Sequence, residues 1–290
     1  MANILSLTSH VVYGHVGGQA AGPVWQAMEH EIWHLPTVLF SNHPGHGGFT
    51  GGLVPLDQQN QLLDGLMDRQ FLADCSALHT GYLGQVGSVD VALRAAGAMD
   101  GLVLCDPVLG DEGRLYVDGD LAAAMRDRLV PHADLVTPNR FELGWLTGRE
   151  VHSLETAIEA AQALRQQGPD IVVCTSAAVS DGWLYNLAAG PDGLYQVRVP
   201  HIADGVADGE TDGVANGAIV PKGTGDAFAA TLLGHYLKHG DVPSALAWAS
   251  AALHGLIRAS IDLGADELAV VAARDQITAP DRLFEAEKVS

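Results

Sequence analysis

The sequence predicts an α/β fold built on a mostly parallel sheet with helices on both faces. Three observations point there. Short apolar runs rich in Val, Ile and Leu alternate with longer stretches of helical period, and strand–helix alternation sets successive strands parallel. The strand candidates read as fully buried segments, which suits a sheet covered on both sides. The chain has 290 residues, 48% apolar and 17% charged, enough to bury a large core.

In chain order, strands are predicted at 4–7, 37–40, 77–80, 102–106, 135–137 and 171–175. Two more, at 183–187 and 195–199, flank Ala188 to Gly193 and read as a hairpin. Helices are predicted near 57–71, 88–97, 119–129, 140–147 and 153–166. Phe228, Leu232, Leu233, Tyr236 and Leu237 recur at helical spacing over 226–239, with Gly240 as a stop. Leu246, Ala249, Leu253 and Leu256 give a further amphipathic helix, and 265–273 another. One domain over 1–290 is expected. Ala203 to Gly217 is rich in Gly, Asp and Ala, and a loop is expected over about 203–219, either a plain hairpin tip or a lid over a site.

Charge narrows the partners. Acidic residues number 35 against 15 basic, for a net −20. That field repels nucleic acid and anionic membrane. It also repels polyphosphates, so a phosphate site must draw on backbone amides, metal ions and a few placed cations. Three scattered cysteines, Cys75, Cys105 and Cys174, fit a reducing compartment better than a disulfide framework. No leader-like start and no run of membrane-spanning length is seen, so a cytoplasmic location is expected.

In a parallel sheet, ligands sit at the carboxyl ends of the strands, so polar residues just after strands carry the functional argument. Gly223-Thr224-Gly225-Asp226 opens a helix. Glycines allow close backbone approach, and free amides of a first turn favour an anion. Taken alone, the motif equally describes a capped helix. Asp106, in Asp106-Pro107-Val108-Leu109-Gly110-Asp111, follows an apolar strand. Paired carboxylates beside a phosphate hold Mg²⁺ directly or through water, although these dipeptides also serve ordinary turns. Thr137-Pro138-Asn139-Arg140-Phe141-Glu142 follows the next strand. Asn139 and Glu142 have capping-box spacing, and Glu142 could face the cleft of Asp106. Ser9-His10-Val11-Val12-Tyr13-Gly14-His15 follows the first strand with hydroxyl and imidazole groups suited to a polar heterocycle. Thr175-Ser176 ends a strand, and Lys222 is the cation beside the glycine motif.

These segments, in this order, resemble the pyridoxal kinases of the ribokinase-like superfamily. The resemblance also covers Phe40-Ser41-Asn42-His43 and Gly81-Tyr82-Leu83-Gly84, and it runs through essentially the whole chain. It implies a three-layer α/β/α fold, a homodimer, and transfer of the γ-phosphate of ATP to the 5′-hydroxymethyl of pyridoxal, pyridoxine or pyridoxamine. By motif match, Asp226 accepts the hydroxyl proton, and the amides of Gly223, Thr224 and Gly225 stabilise the moving phosphoryl group. Asp106, Thr137, Glu142, Thr175 and Lys222 line the ATP site. Asp106 and Glu142 serve Mg²⁺, with K⁺ or Na⁺ as an accompanying monovalent ion. Ser9, His43 and Tyr82 meet the pyridine ring.

Two departures stand out. Pro44-Gly45 follows His43 where similar kinases carry a polar pair, and Pro44 has neither a backbone donor nor a polar side chain. The 203–217 segment holds Asp204, Asp208, Glu210 and Asp212 and no basic residue, an adverse field over a triphosphate. The rival readings are a hydroxymethylpyrimidine kinase of the same superfamily and a non-catalytic protein that holds a B6 vitamer or nucleotide. A dinucleotide-binding oxidoreductase would want a glycine turn after the first strand, and Gly14-His15-Val16-Gly17-Gly18 lacks that spacing.

Overall fold

The computed structural model describes residues 1–111, 113–202 and 220–289. The loop expected over 203–219 therefore lies outside the described residues. The strands are β1 (Asn3–Val11), β2 (Glu31–Phe40), β3 (Gly51–Leu53), β4 (Ala77–Thr80), β5 (Leu102–Cys105), β6 (Gly110–Asp111), β7 (Arg114–Leu115), β8 (Leu135–Val136), β9 (Ile171–Ser180), β10 (Trp183–Gly190), β11 (Gly193–Pro200) and β12 (Glu287–Val289). The helices are α1 (Gly18–Ala27), α2 (Leu56–Asp68), α3 (Gly87–Ala96), α4 (Gly119–Ala124), α5 (Arg140–Thr147), α6 (Leu154–Arg165), α7 (Thr224–His239), α8 (Val242–Asp262) and α9 (Asp275–Thr278).

Ten strands form one sheet in the order β12-β11-β10-β9-β8-β5-β4-β1-β2-β3, while β6 and β7 pair separately. The span from β9 to β2 is parallel, and both flanks are antiparallel. Neighbouring residues on a strand face opposite sides of the sheet. Leu5, Cys105 and Cys174 pack with α2 to α6, whereas Ile4, Leu104 and Val173 pack with α1, α7 and α8. Two cores thus sandwich the sheet, as the alternation predicts. The three thiols are free and buried.

From β1 the chain moves out to β2 and β3, then returns to β4 on the other side of β1. That reversal opens a crevice at the carboxyl ends of β1 and β4, the place where such sheets bind ligands.

Four local expectations need correction. First, α1 is unpredicted, since Gly18, Gly22 and Pro23 break its pattern, yet Ala20, Ala21, Val24 and Trp25 on its inner face are buried. Second, the β10–β11 hairpin is tighter than expected. Pairing runs to Gly190 and Gly193, leaving only Pro191 and Asp192 as the turn. Third, residues 125–129, expected to continue α4, wind as a single wide π turn. Fourth, residues 265–273 are not helical. This stretch lies across the sheet's carboxyl edge, where Glu267 bridges the backbone of Lys222 and the Ala269 N–H donates to Ser260 Oγ at 2.9 Å.

Candidate active site

Gly223 caps α7 in the left-handed conformation (φ 86°, ψ 6°), which places Asp226 in the first turn. Gly17, with a positive φ of 55° but a ψ of −132°, ends the β1–α1 loop. The Gly17 N–H and Asp226's own amide both donate to the Asp226 carboxyl. Surrounding protein nevertheless raises that carboxyl to about 6, because burial disfavours the charged form more than the two amides favour it. Asp226 keeps partial exposure at the mouth of the crevice.

Asp106 lies at the end of β5, buried at 5% exposure. Its N–H donates to Thr80 O at 2.8 Å, and Thr137 Oγ1 donates to its Oδ1 at 2.8 Å. Burial and then the neighbouring Asp226 charge raise it to about 7, despite the Thr137 hydrogen bond. Glu142 follows on α5. Asn139 and Glu142 form the expected capping box, with Glu142 N–H on Asn139 Oδ1 at 2.9 Å and Asn139 N–H on Glu142 Oε2 at 2.8 Å. Glu142 Oε1 also accepts from Leu109 N–H at 2.9 Å and Gly110 N–H at 3.3 Å. Burial, then Asp106, raises this carboxyl to about 8. The structure therefore brings Asp226, Asp106 and Glu142 into one electrostatically coupled group. Their surroundings differ: Asp106 is buried against Thr137 in the field of Asp226, and Glu142 fastens the 109–110 turn to α5.

The other expected residues ring this group. Ser9 is buried beside Gly17, so close that a Cβ on Gly17 would overlap the Ser9 hydroxyl and carbonyl oxygens. The Tyr82 N–H donates to Thr8 Oγ1 at 3.2 Å, its carbonyl accepts from Thr37 at 2.6 Å, and burial raises its phenol. His43 Nδ1 accepts from the Gly45 N–H at 3.0 Å and caps a turn over Pro44–His46. Burial, then Lys222, lowers His43, so it stays neutral near pH 7. The Pro44-Gly45 pair is exposed, with His43 as its cap. Thr175 N–H donates to Pro138 O at 3.0 Å, at the bridge between Asn139 and Thr175. Lys222 is exposed. Glu267 belongs to this rim as well, and nothing in its local sequence points to it. A separate, mostly apolar cavity of about 490 Å³, lined by Leu5, Trp33, His34, Leu35, Leu62, Leu66 and Phe71, lies beside β2 and α2 and shares none of these residues.

Comparison with known proteins decides the family. A profile of the phosphomethylpyrimidine kinase family matches residues 67–271. The pyridoxal kinase of Deinococcus radiodurans is 38% identical over 99% of this chain and 96% of its own length. The chain belongs to the pyridoxal kinase family. The family's Rubrobacter xylanophilus member is 37% identical over 99% of this chain and 98% of its own length. The Leishmania donovani pyridoxal kinase, solved with ADP and pyridoxamine, is 31% identical with a TM-score of 0.85 over the whole of both chains. Pyridoxal kinase relatives and an ADP-bound neighbour make this a nucleotide-dependent kinase fold, with helices on both faces of a mixed, mostly parallel sheet. Among the described residues, no helix is long and apolar enough to cross a membrane.

The raised carboxyls set a pH dependence of stability. Asp226, Asp106 and Glu142 hold protons more tightly folded than unfolded, from ordinary values of 3.8 to 4.5 up to about 6, 7 and 8. The folded state then binds the excess protons, and stability falls as pH rises through that window. Buried His79, lowered to about 3, and His235, lowered to about 4, act in the opposite sense. They act only below about pH 6.5, where an unfolded histidine protonates. Between about pH 6.5 and 8, the melting temperature of ligand-free protein in chelator should therefore fall, and Asp106→Asn should flatten the fall. A wild-type melting temperature that is flat or rising over that range would show that these carboxyls are not raised.

Proposed function

We propose that this chain transfers the γ-phosphoryl group of ATP to the 5′-hydroxymethyl of pyridoxal, and of pyridoxine and pyridoxamine, giving the 5′-phosphate. The observation that carries this reading is Asp226. A carboxyl raised to about 6 sits on the first turn of a helix, beside a buried carboxyl that its own charge helps to raise to about 7. A base poised near working pH accepts a hydroxyl proton best. The amides of Gly223, Thr224 and Gly225 at the helix start are suited to charge building on the transferring phosphoryl group. Phosphoryl transfer asks for positioning and charge neutralisation, with little covalent chemistry from the protein.

The donor set fits a hard cation. Asp106 supplies a carboxylate at the end of β5 in the field of Asp226, and the coupled carboxyls resist ionising together unless a cation offsets them. Among the described residues no three metal-ligating side chains form a ready-made cage. Mg²⁺ is held that way in nucleotide sites, by one or two carboxylates together with substrate phosphates and water. Asp106 would hold it, with Glu142 contributing charge from behind the 109–110 turn. It would neutralise phosphate charge, and K⁺ or Na⁺ would accompany it. Thr137, Thr175 and Lys222 serve the nucleotide, and Ser9, His43 and Tyr82 the ring. A homodimer in the cytoplasm completes the reading.

The test is a coupled ADP-release assay with pyridoxal, pyridoxine, pyridoxamine and hydroxymethylpyrimidine as alcohols. The B6 alcohols are expected to give the higher kcat/KM. The phosphomethylpyrimidine kinase profile keeps the rival substrate in the comparison. Preference for hydroxymethylpyrimidine would replace the substrate assignment, and saturable pyridoxal binding without ADP release would replace the reaction.

A further inference from the structure

We infer that Glu267 is a positioning residue for phosphoryl transfer, fastening the loop that holds the base to the turn on the alcohol side of the crevice. The inference rests on the kinase reading above and extends it to a residue outside every motif.

Glu267 follows α8, and only 13% of its side chain is exposed. Its two oxygens serve different segments. Oε2 accepts the His15 N–H at 2.7 Å, from the β1–α1 loop. Oε1 meets His46 Nε2 at 2.6 Å, from the turn that His43 caps. Its backbone bridges Lys222, the residue before the glycine turn. Gly14 makes room for the carboxylate: it is left-handed (φ 101°), and a Cβ there would stand 2.6 Å from Oε2. Glu267 is itself anchored, because Leu268 and Val270 beside it are buried and Ala269 is tied to Ser260.

The arrangement leads to both reactants. The His15 carbonyl abuts Gly223, and two residues further on Gly17 donates its N–H to Asp226. The β1–α1 loop thus shapes the surroundings of the base at one end while Glu267 holds it at the other. His46 stacks edge-on against Tyr13 at 5.7 Å, and His43 lies within the fields of Lys222, Glu267 and His46. One carboxylate therefore sets the spacing between the proton acceptor and the alcohol. Charge alone would argue against a carboxylate here, since the chain carries −20 and its substrate is a polyphosphate. Its use is geometric.

Steady-state kinetics with ATP and pyridoxal test this on Glu267→Ala, Glu267→Gln, His46→Ala and the Glu267→Ala/His46→Ala double variant. Glu267→Ala is expected to raise the KM for pyridoxal and lower kcat together, for about a 10²-fold loss in kcat/KM, the scale of a misplacement near 1 Å. The KM for ATP should change little. Glu267→Gln keeps an oxygen for the His15 N–H and should recover much of kcat. His46→Ala should raise the pyridoxal KM more than it lowers kcat, and the double variant should be no worse in KM than Glu267→Ala, as coupled residues behave. A Glu267→Ala protein with wild-type KM and kcat, or strictly additive effects in the double variant, overturns the inference. If Glu267→Ala does not fold, His46→Ala decides, and an unchanged pyridoxal KM overturns it. Absence of wild-type turnover overturns the kinase reading itself, whereas normal wild-type turnover with indifferent variants overturns this inference alone.

Discussion

Asp226→Asn is expected to lower kcat by ~10²–10⁴-fold, the usual contribution of a positioned base, while nucleotide binding survives. Asn preserves the shape and still offers an oxygen to the Gly17 N–H that Asp226 now accepts. It cannot take a proton from the alcohol. The substitution also removes the charge that helps to raise Asp106, so Asp106 ionises more readily and Mg²⁺-nucleotide affinity should hold or improve. Single-turnover rates beside calorimetric nucleotide titration separate the two effects. Near-normal turnover would remove Asp226 from the mechanism.

Gly223→Ala is expected to be nearly as damaging by another route. Gly223 has φ 86°, and a Cβ there would overlap the His15 carbonyl oxygen. That neighbour is backbone, so relief requires moving the β1–α1 loop, which presents Gly17 to Asp226. A displacement near 1 Å at reacting groups costs about 10²-fold in rate. The left-handed conformation adds about 1–3 kcal/mol of strain for a residue with a side chain. Thermal melts should therefore show Gly223→Ala well below wild type. Gly225→Ala, whose Cβ would meet open space, should melt close to wild type. Equal melting temperatures for the two variants would contradict the geometry.

The parts of this site that the sequence made readable share one property. Asp106, Thr137 and Asp226 each lie within a residue or two of an element's end, where local pattern marks the boundary and topology supplies the meaning. Asn139 and Glu142 form a local pair three residues apart, and their cap appears as expected. What stayed hidden was long-range or broke a local rule. The α1 helix contains Gly18, Gly22 and Pro23 and owes its existence to Val24 and Trp25 packing under the sheet. Glu267 meets His15 across 252 positions of sequence. It also sits in a segment whose apolar spacing mimics a helix, because Leu268 and Val270 are buried for reasons of tertiary packing. The strand β12 pairs at the edge through only Glu287, Lys288 and Val289, too short a run to show an alternation.

Far from the crevice, α7 is tied down along its middle. The Trp25 indole N–H donates to Ala230 O at 2.8 Å. The Ala2 N–H occupies His30 Nδ1, so the proton on Nε2 reaches Gly234 O at 3.1 Å. Met28 and Trp25 lie against the bare face of Gly234, where any side chain would intrude. A rod pinned at two successive turns has no hinge about which to swing. Under the kinase reading, Asp226 then stands on a fixed mount, an anvil rather than a hammer, and the reactants are brought to it.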